Sequence, residues 1–163
     1  MDISFEELYN GKLKLIPPKS GVYLVIMPSN FKLQINETTE GREIFKGKNM
    51  LYSMEDLNRK AEHYNLPERG GNILYIGKAK NLHNRIKQYV AWGYFNKNNT
   101  KSSPHAGGRA IWQLNNNKKL LLRCLENTCP EKEEAILLDK YITEYGKLPF
   151  ANRVRGQKQY RLF

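Results

Sequence analysis

The stretch from Leu74 to Tyr89 constrains the fold more than any other part of the chain. Residues 73–76 have the β-branched and aromatic composition of a strand, and Gly77 predicts a sharp exit from it. Apolar residues then recur at helical spacing, which predicts an amphipathic helix whose buried face carries Leu82, Ile86 and Tyr89/Val90. Arg85 lies beside this face, where a cation is held rigidly while it faces a groove.

The charge of the chain points to a polyanionic partner. Its 163 residues contain 27 Lys+Arg against 16 Asp+Glu, which gives a net charge of +11. Such an excess favours nucleic acid as the partner, although lysine used for solubility alone is the alternative. The basic residues gather around the helix after Gly77 and in a tail at about residues 153–163, and this clustering favours the first interpretation.

Size and composition predict a single domain over residues 1–163 in the cytoplasm. No apolar run has the length of a membrane span, and the acidic N-terminus lacks the basic start and apolar centre of a signal peptide. Cys124 and Cys129 form no CxxC pair, and with only three histidines a zinc site is not expected. The sequence leaves the oligomeric state open between monomer and homodimer.

Four short segments, in this order, resemble the GIY-YIG nuclease superfamily. They are Ser20-Gly21-Val22-Tyr23-Leu24-Val25, Tyr75-Ile76-Gly77 with Arg85 on the next helix, Glu133 to Asp139, and Pro149-Phe150-Ala151-Asn152. Val22 stands where the family name has isoleucine. The resemblance implies an α/β (α+β) fold with a small central three-stranded antiparallel sheet flanked by helices, and a standalone, restriction-endonuclease-like member fits best.

The pattern of the chain itself also indicates a mixed α/β domain. A short helix with Phe5, Leu8 and Tyr9 is predicted first, and buried strands are predicted at residues 21–27 and 120–126. A last helix over residues 131–145 is expected, with Pro130 at its first position and Gly146 as its cap.

A long insertion, about residues 29–71, separates the first two core strands, where the family usually has a much shorter hairpin. Residues 31–35 alternate like a strand, and we expect them to pair with residues 43–46. Ser53 is predicted to cap a helix that carries Leu57, Ala61 and Tyr64. Two interpretations stay open: a DNA-reading or clamping element, and an elaboration that covers a sheet edge.

The segment after the motif helix offers further candidates for substrate contact. Residues 91–103 are predicted to form a polar loop in which Trp92 and Tyr94 either stack on bases or cap the core. His105 and Arg109 open the next helix and are candidates for phosphate contact, although His105 is equally suited to capping that helix.

Glu134 is the candidate metal ligand that the helical phase selects. Stepping about 100° per residue puts it near the centre of an apolar face formed by Leu137, Leu138, Tyr141, Ile142 and Tyr145. A carboxylate there is costly unless a cation, a metal or hydrogen bonds compensate it. A metal ion and a buried salt bridge, for example to Arg85, both remain possible, and Asp139 is an alternative ligand.

The resemblance implies roles for the remaining residues. Tyr23 would act as general base on the attacking water, with its pKa lowered by Lys78 and Arg85, and Tyr75 would position water or phosphate. Arg85 would bind phosphate oxygens with its planar fork, Glu134 would hold Mg²⁺ (or Mn²⁺), and Asn152 would order the site. Tyr89 stands where many relatives carry histidine. For Tyr23 and Tyr75, simple packing within their strands remains the alternative to a catalytic role.

The sequence therefore predicts a metal-dependent DNA endonuclease. Substrate contact is expected from a set of side chains outside the catalytic centre, namely Tyr89, His105, Arg109, Arg153 and Arg155. The alternatives are a non-catalytic nucleic-acid-binding module that retains the fold, and a nuclease that acts on RNA.

Overall fold

The computed structural model describes residues 1–36, 44–45, 48–49, 52–64, 71–93 and 106–153. The strands are β1 (Asp2–Ser4), β2 (Gly21–Ile26), β3 (Ile44–Phe45), β4 (Lys48–Asn49), β5 (Ile73–Ala79) and β6 (Leu121–Glu126). The α-helices are α1 (Phe5–Tyr9), α2 (Met54–Tyr64), α3 (Leu82–Gly93), α4 (Ala106–Trp112) and α5 (Pro130–Tyr145).

The central sheet is antiparallel, with the strand order β1-β6-β2-β5, and the fold class is α+β as predicted. The sheet has four strands where three were expected. The additional strand, β1, pairs with β6, and the Asp2 carboxylate accepts two hydrogen bonds from the Arg123 guanidinium, at 2.7 and 2.9 Å. A strand of three residues is too short to show a period in the sequence.

Helices cover the sheet on both faces. Strand side chains alternate, so Tyr75, Gly77 and Ala79 of β5 share one face, and Ile76 and Lys78 share the other. The first face packs against α3, because Tyr89 of that helix contacts Tyr23 of β2, which lies opposite Gly77. We call this the aromatic face. The second packs against α5, where Glu134 meets Lys78, and we call it the charged face.

The helix α3 carries the buried positions that the spacing predicts, since Leu82, Ile86, Tyr89 and Val90 are all buried. Its start is fixed by Asn81, whose side-chain oxygen accepts a hydrogen bond from the backbone N–H of Asn84 at 3.0 Å. The predicted exit at Gly77 is wrong, because β5 continues to Ala79. The glycine has another purpose, described below.

The helix α5 also follows its prediction. Pro130 occupies its first turn, and Gly146 ends it in the left-handed conformation with φ of 77°. Glu134 is buried on the same side as Leu138 and Tyr141. The helical phase therefore placed the one carboxylate of the apolar face correctly.

The insertion contributes one long helix, α2, capped by Ser53 as predicted, with Leu57, Ala61 and Tyr64 buried. The predicted pairing of residues 31–35 with 43–46 is wrong for the residues described, and residues 43 and 46 lie outside them. Ile35 forms a bridge to Leu114, and β3 pairs with β4. Alternation identifies an extended segment, but it does not identify the partner strand.

Candidate active site

The two halves of the tyrosine motif lie on adjacent antiparallel strands. In the β2–β5 register, Tyr23 stands directly opposite Gly77. A Cβ atom added at Gly77 would lie 2.5 Å from Cζ of Tyr23 and 2.7 Å from its hydroxyl. Glycine is therefore required here because the Tyr23 ring packs directly against the backbone of residue 77, and not because the chain turns.

Tyr23 belongs to a buried aromatic cluster. Its ring centroid lies 5.8 Å from that of Tyr75 and 6.1 Å from that of Tyr89, which it meets edge-on. Tyr89 stacks on Phe5 at 5.6 Å. Because Tyr89 is only 1% exposed, its placement does not support the predicted direct contact with substrate. The structure instead gives Tyr89 a packing role behind Tyr23.

The protonation of these tyrosines differs from the prediction. Burial raises the pKa of Tyr23 well above 10.0, and the Arg85 charge offsets this only in part. Burial also raises the pKa of Tyr75. The hydrogen bond between the two side chains raises the pKa of Tyr23 and lowers that of Tyr75. Arg85 thus lowers the pKa of Tyr23 as expected, but burial outweighs it and the net shift is upward.

On the charged face, Oε1 of Glu134 lies 3.5 Å from Nζ of Lys78. Burial raises the pKa of Glu134, and the Lys78 charge opposes this effect. The ion-pair partner of the buried carboxylate is therefore Lys78 rather than Arg85. The Glu134 charge also raises the pKa of Tyr75, so this carboxylate acts across the edge of the sheet on the aromatic face.

Glu131 and Glu134 are the carboxylates of α5 that would hold a divalent cation. Glu131, one turn before Glu134, raises the pKa of Glu134 through its own charge. The part of the chain that the structure describes contains no group of three or more His, Cys, Asp or Glu side chains suited to a metal. One or two carboxylates with the remaining positions left to water and phosphate oxygen match the way proteins bind Mg²⁺.

A groove of about 330 Å³ runs beside these residues, between β5 and α3. It is lined by Lys78, Ala79, Lys80, Asn81, Asn84, Arg85, Gln88 and Glu131. We call it the β5–α3 groove. Arg85 is half-buried in it, which agrees with a cation held rigidly at a groove. Asn84, Gln88 and Glu131 were not predicted as site residues. Gln88 could have been found, because Asn81, Arg85 and Gln88 follow the one-turn spacing of a single helix face.

Asn152 is tied to the open edge of β5. Its side-chain amide donates to the Ile76 carbonyl at 2.9 Å and accepts from the Ile76 N–H at 2.9 Å. Asn152 thus holds the strand between Tyr75 and Gly77, which is consistent with the ordering role that the resemblance implies. The next residue, Arg153, is exposed, and its guanidinium carbon lies 4.1 Å from the ring centroid of Tyr52.

Several residues that were predicted to contact the substrate are not seen at the site in the part of the chain that the structure describes. His105 and Arg155 lie outside them, as does the side chain of Arg109, whose backbone lies in α4. Trp92 is 3% exposed and packs in the core, so its structural place is the capping alternative. Tyr94 lies outside the described residues.

No family model, curated protein or solved structure matches this chain. None of the helices in the described ranges combines the length and the apolar content needed to cross a membrane.

Proposed function

We propose that this chain is a metal-dependent DNA endonuclease of the GIY-YIG type, which hydrolyses phosphodiester bonds. The observation that carries the proposal is the strand register. Gly21-Val22-Tyr23 and Tyr75-Ile76-Gly77 are distant in sequence, yet they pair with Tyr23 opposite Gly77. A Cβ atom at position 77 would collide with the Tyr23 hydroxyl, so the glycine and the tyrosine depend on each other. This dependence supports a shared role for the two motifs.

The β5–α3 groove suits a phosphodiester. Lys78, Lys80 and Arg85 line it, and the guanidinium of Arg85 can donate to two phosphate oxygens at once. Because the Arg85 charge acts on the hydroxyls of Tyr23 and Tyr75, a phosphate held there lies beside the tyrosine pair. Tyr75, the more accessible of the two, would orient the attacking water, and Tyr23 would orient the Tyr75 hydroxyl through their hydrogen bond.

Glu134, with Glu131 beside it, would hold the divalent ion. When bound, such an ion polarises the phosphate and stabilises charge on the leaving oxygen. The Lys78 ammonium compensates the Glu134 charge in the ion-free protein, and the raised pKa of Glu134 shows that this compensation is incomplete. A second cation near the carboxylate would therefore be favourable.

A cleavage assay tests the proposal. Purified protein is incubated with supercoiled and linear DNA in Mg²⁺ or Mn²⁺, with EDTA as the metal-free reference, and the ends are mapped. We expect DNA cutting by the wild type and none by Glu134→Gln. DNA affinity of the variant should stay close to that of the wild type, because binding comes mainly from the basic surface.

Asp139→Asn is the matched control. Asp139 is five residues along α5, so it points about 140° away from Glu134. Cutting should survive this change. If Glu134→Gln cuts normally and Asp139→Asn does not, the ligand assignment is wrong. If the wild type cuts no DNA but cuts an RNA hairpin, the substrate is wrong.

A non-catalytic nucleic-acid-binding module is the second candidate, and one observation favours it. The Tyr23 side chain is wholly buried, so the structure also suits a domain in which the tyrosines only pack. The two candidates differ in one result: a binding module binds DNA with salt-dependent affinity and leaves every strand intact in Mg²⁺ and Mn²⁺.

A further inference from the structure

A second groove lies on the other side of Asn152, between α2 of the insertion and residues 147–153. Its volume is about 430 Å³, and we call it the α2 groove. Its floor is apolar, with Leu57, Leu148 and Phe150, and its rim carries Arg59, Lys60, Lys147 and Arg153 against a single acidic residue, Asp56. The rim is therefore strongly basic.

The cations of this rim are not equivalent. Arg59 is already paired, with Glu55 at 3.2 Å and Asp56 at 3.7 Å. Among the residues described, no carboxylate lies within salt-bridge distance of Lys60, Lys147 or Arg153. These three positive charges therefore share the groove with one described carboxylate, Asp56, which is paired with Arg59.

Two of these cations are held in place by neutral groups. Nζ of Lys60 donates to the Phe150 carbonyl at 3.2 Å, and the Arg153 guanidinium lies over the Tyr52 ring. Burial lowers the pKa of Lys60, the Arg153 charge lowers it further, and the Asp56 charge opposes both effects. Like charges held this close repel each other, and an anion between them would relieve the repulsion.

The α2 groove leads to the proposed active site. Asn152 lines the groove and bonds to Ile76, the residue between Tyr75 and Gly77. Arg153 follows directly, and its partner Tyr52 contributes to the pKa of Tyr75. A phosphate in the α2 groove would therefore lie next to the edge of β5 at Ile76, the neighbour of Tyr75.

We propose that the α2 groove binds a backbone phosphate of the nucleic acid strand outside the scissile bond, through Lys60, Lys147 and Arg153. This inference rests on the proposed function and assigns the α2 part of the insertion to substrate binding. The apolar floor accommodates the sugar next to that phosphate, and a contact to a backbone phosphate carries no sequence information.

The test is the salt dependence of DNA binding. Fluorescence anisotropy with a labelled DNA duplex is measured in EDTA, over a series of NaCl concentrations, so that no cleavage interferes. Each lost phosphate contact should reduce the slope of log K against log [NaCl] by about 0.9. Because three cations share this phosphate, we expect Lys60→Met and Arg153→Met each to reduce the slope by part of that amount, together with an affinity loss of about tenfold at moderate salt.

Two variants serve as controls. Lys140→Met removes the same charge from an exposed position of α5 that lies among Asp139 and Glu144, and its slope should equal that of the wild type. Lys60→Arg keeps the charge in the groove and should restore most of the slope. Thermal melting of each variant shows whether a loss of binding comes from unfolding. A loss in Lys60→Met that is absent in Lys60→Arg comes from the missing charge and not from unfolding.

An unchanged slope in both Lys60→Met and Arg153→Met overturns the inference, and so does an equal loss in Lys140→Met. Failure of this inference is distinguishable from failure of the proposed function. Normal cleavage with unchanged slopes would reject the phosphate site in the α2 groove and retain the nuclease activity. Binding that depends on the groove without any cleavage would reject the nuclease activity and retain the phosphate site.

Discussion

The aromatic face and the charged face of the sheet handle polar groups in opposite ways. On the aromatic face, Tyr23 is fully buried, and its hydroxyl is kept neutral by exclusion of water. On the charged face, Glu134 is also buried, but it meets the Lys78 ammonium, which is 34% exposed. The comparison shows that packing fixes the positions of the phenols, whereas a compensating charge at the border of solvent fixes the carboxylate.

Arg85 lies on α3 at the β5–α3 groove, and among the arginine and tyrosine variants considered next, its replacement should lower the cleavage rate most. Arg85→Lys keeps the charge but loses the planar fork, so we expect the single-turnover cleavage rate to fall by about 10³-fold, as for arginines that stabilise phosphoryl transfer. Rates at saturating DNA separate this loss from weaker binding. A variant with a normal rate and weaker binding would make Arg85 a residue that only holds the substrate.

Tyr23→Phe sharpens the comparison from the aromatic side. The ring and its packing remain, so the melting temperature should change little. The hydrogen bond to Tyr75 is lost, and we expect the single-turnover rate to fall by about 10²-fold, the size expected when a positioned group is misplaced. Because burial raises the pKa of Tyr23, the pH dependence of the rate should match that of the wild type.

The same pH profile decides whether Tyr23 is the base. A profile that changes shape in Tyr23→Phe would show that the phenol titrates during catalysis, against the effect of its burial. Tyr75→Phe is the matched variant, because it removes the hydroxyl of the more accessible ring. Its rate should also fall, since the proposed role of that hydroxyl is to orient water.

The smallest effect concerns stability on the charged face. The pKa of Glu134 is raised above its ordinary value of 4.5, so the folded protein holds this proton to higher pH than the unfolded chain. Ionised Glu134 therefore destabilises the fold at neutral pH, and the loss disappears as the pH falls below 4.5. Glu134→Gln should melt slightly above the wild type at pH 7, and the difference should close in acid. A lower melting temperature at pH 7 would mean that the Lys78 pair outweighs burial.

Long periodic segments of this fold were predictable from sequence, and short or paired ones were not. The apolar spacing of α3 and α5 predicted both helices and their buried faces, and it placed Glu134 within the buried face of α5. The strand β1 was missed because three residues carry no period, although its side chain Ile3 is buried. Partners were harder still: alternation in residues 31–35 did not reveal the bridge from Ile35 to Leu114.

The same limit applies to the candidate site. The helical phase selected Glu134 and the resemblance selected Tyr23 and Lys78, but neither showed that Lys78 and Glu134 pair or that Tyr23 is shielded from water. Those properties depend on which face of a strand a residue occupies and on what covers that face. The role of Gly77 was likewise visible only once Tyr23 stood opposite it.

The bonds of residues 151 and 152 to β5 have a consequence for how separate molecules behave in concentrated solution. β5 is the last strand of its sheet, and a bare strand edge offers a row of N–H and C=O groups to any other chain. Here Ala151 donates to the Leu74 carbonyl at 2.8 Å, and Asn152 satisfies both groups of Ile76. Residues 151 and 152 therefore block the edge of β5 against pairing with another chain. A chain shortened before Ala151 should self-associate into aggregates.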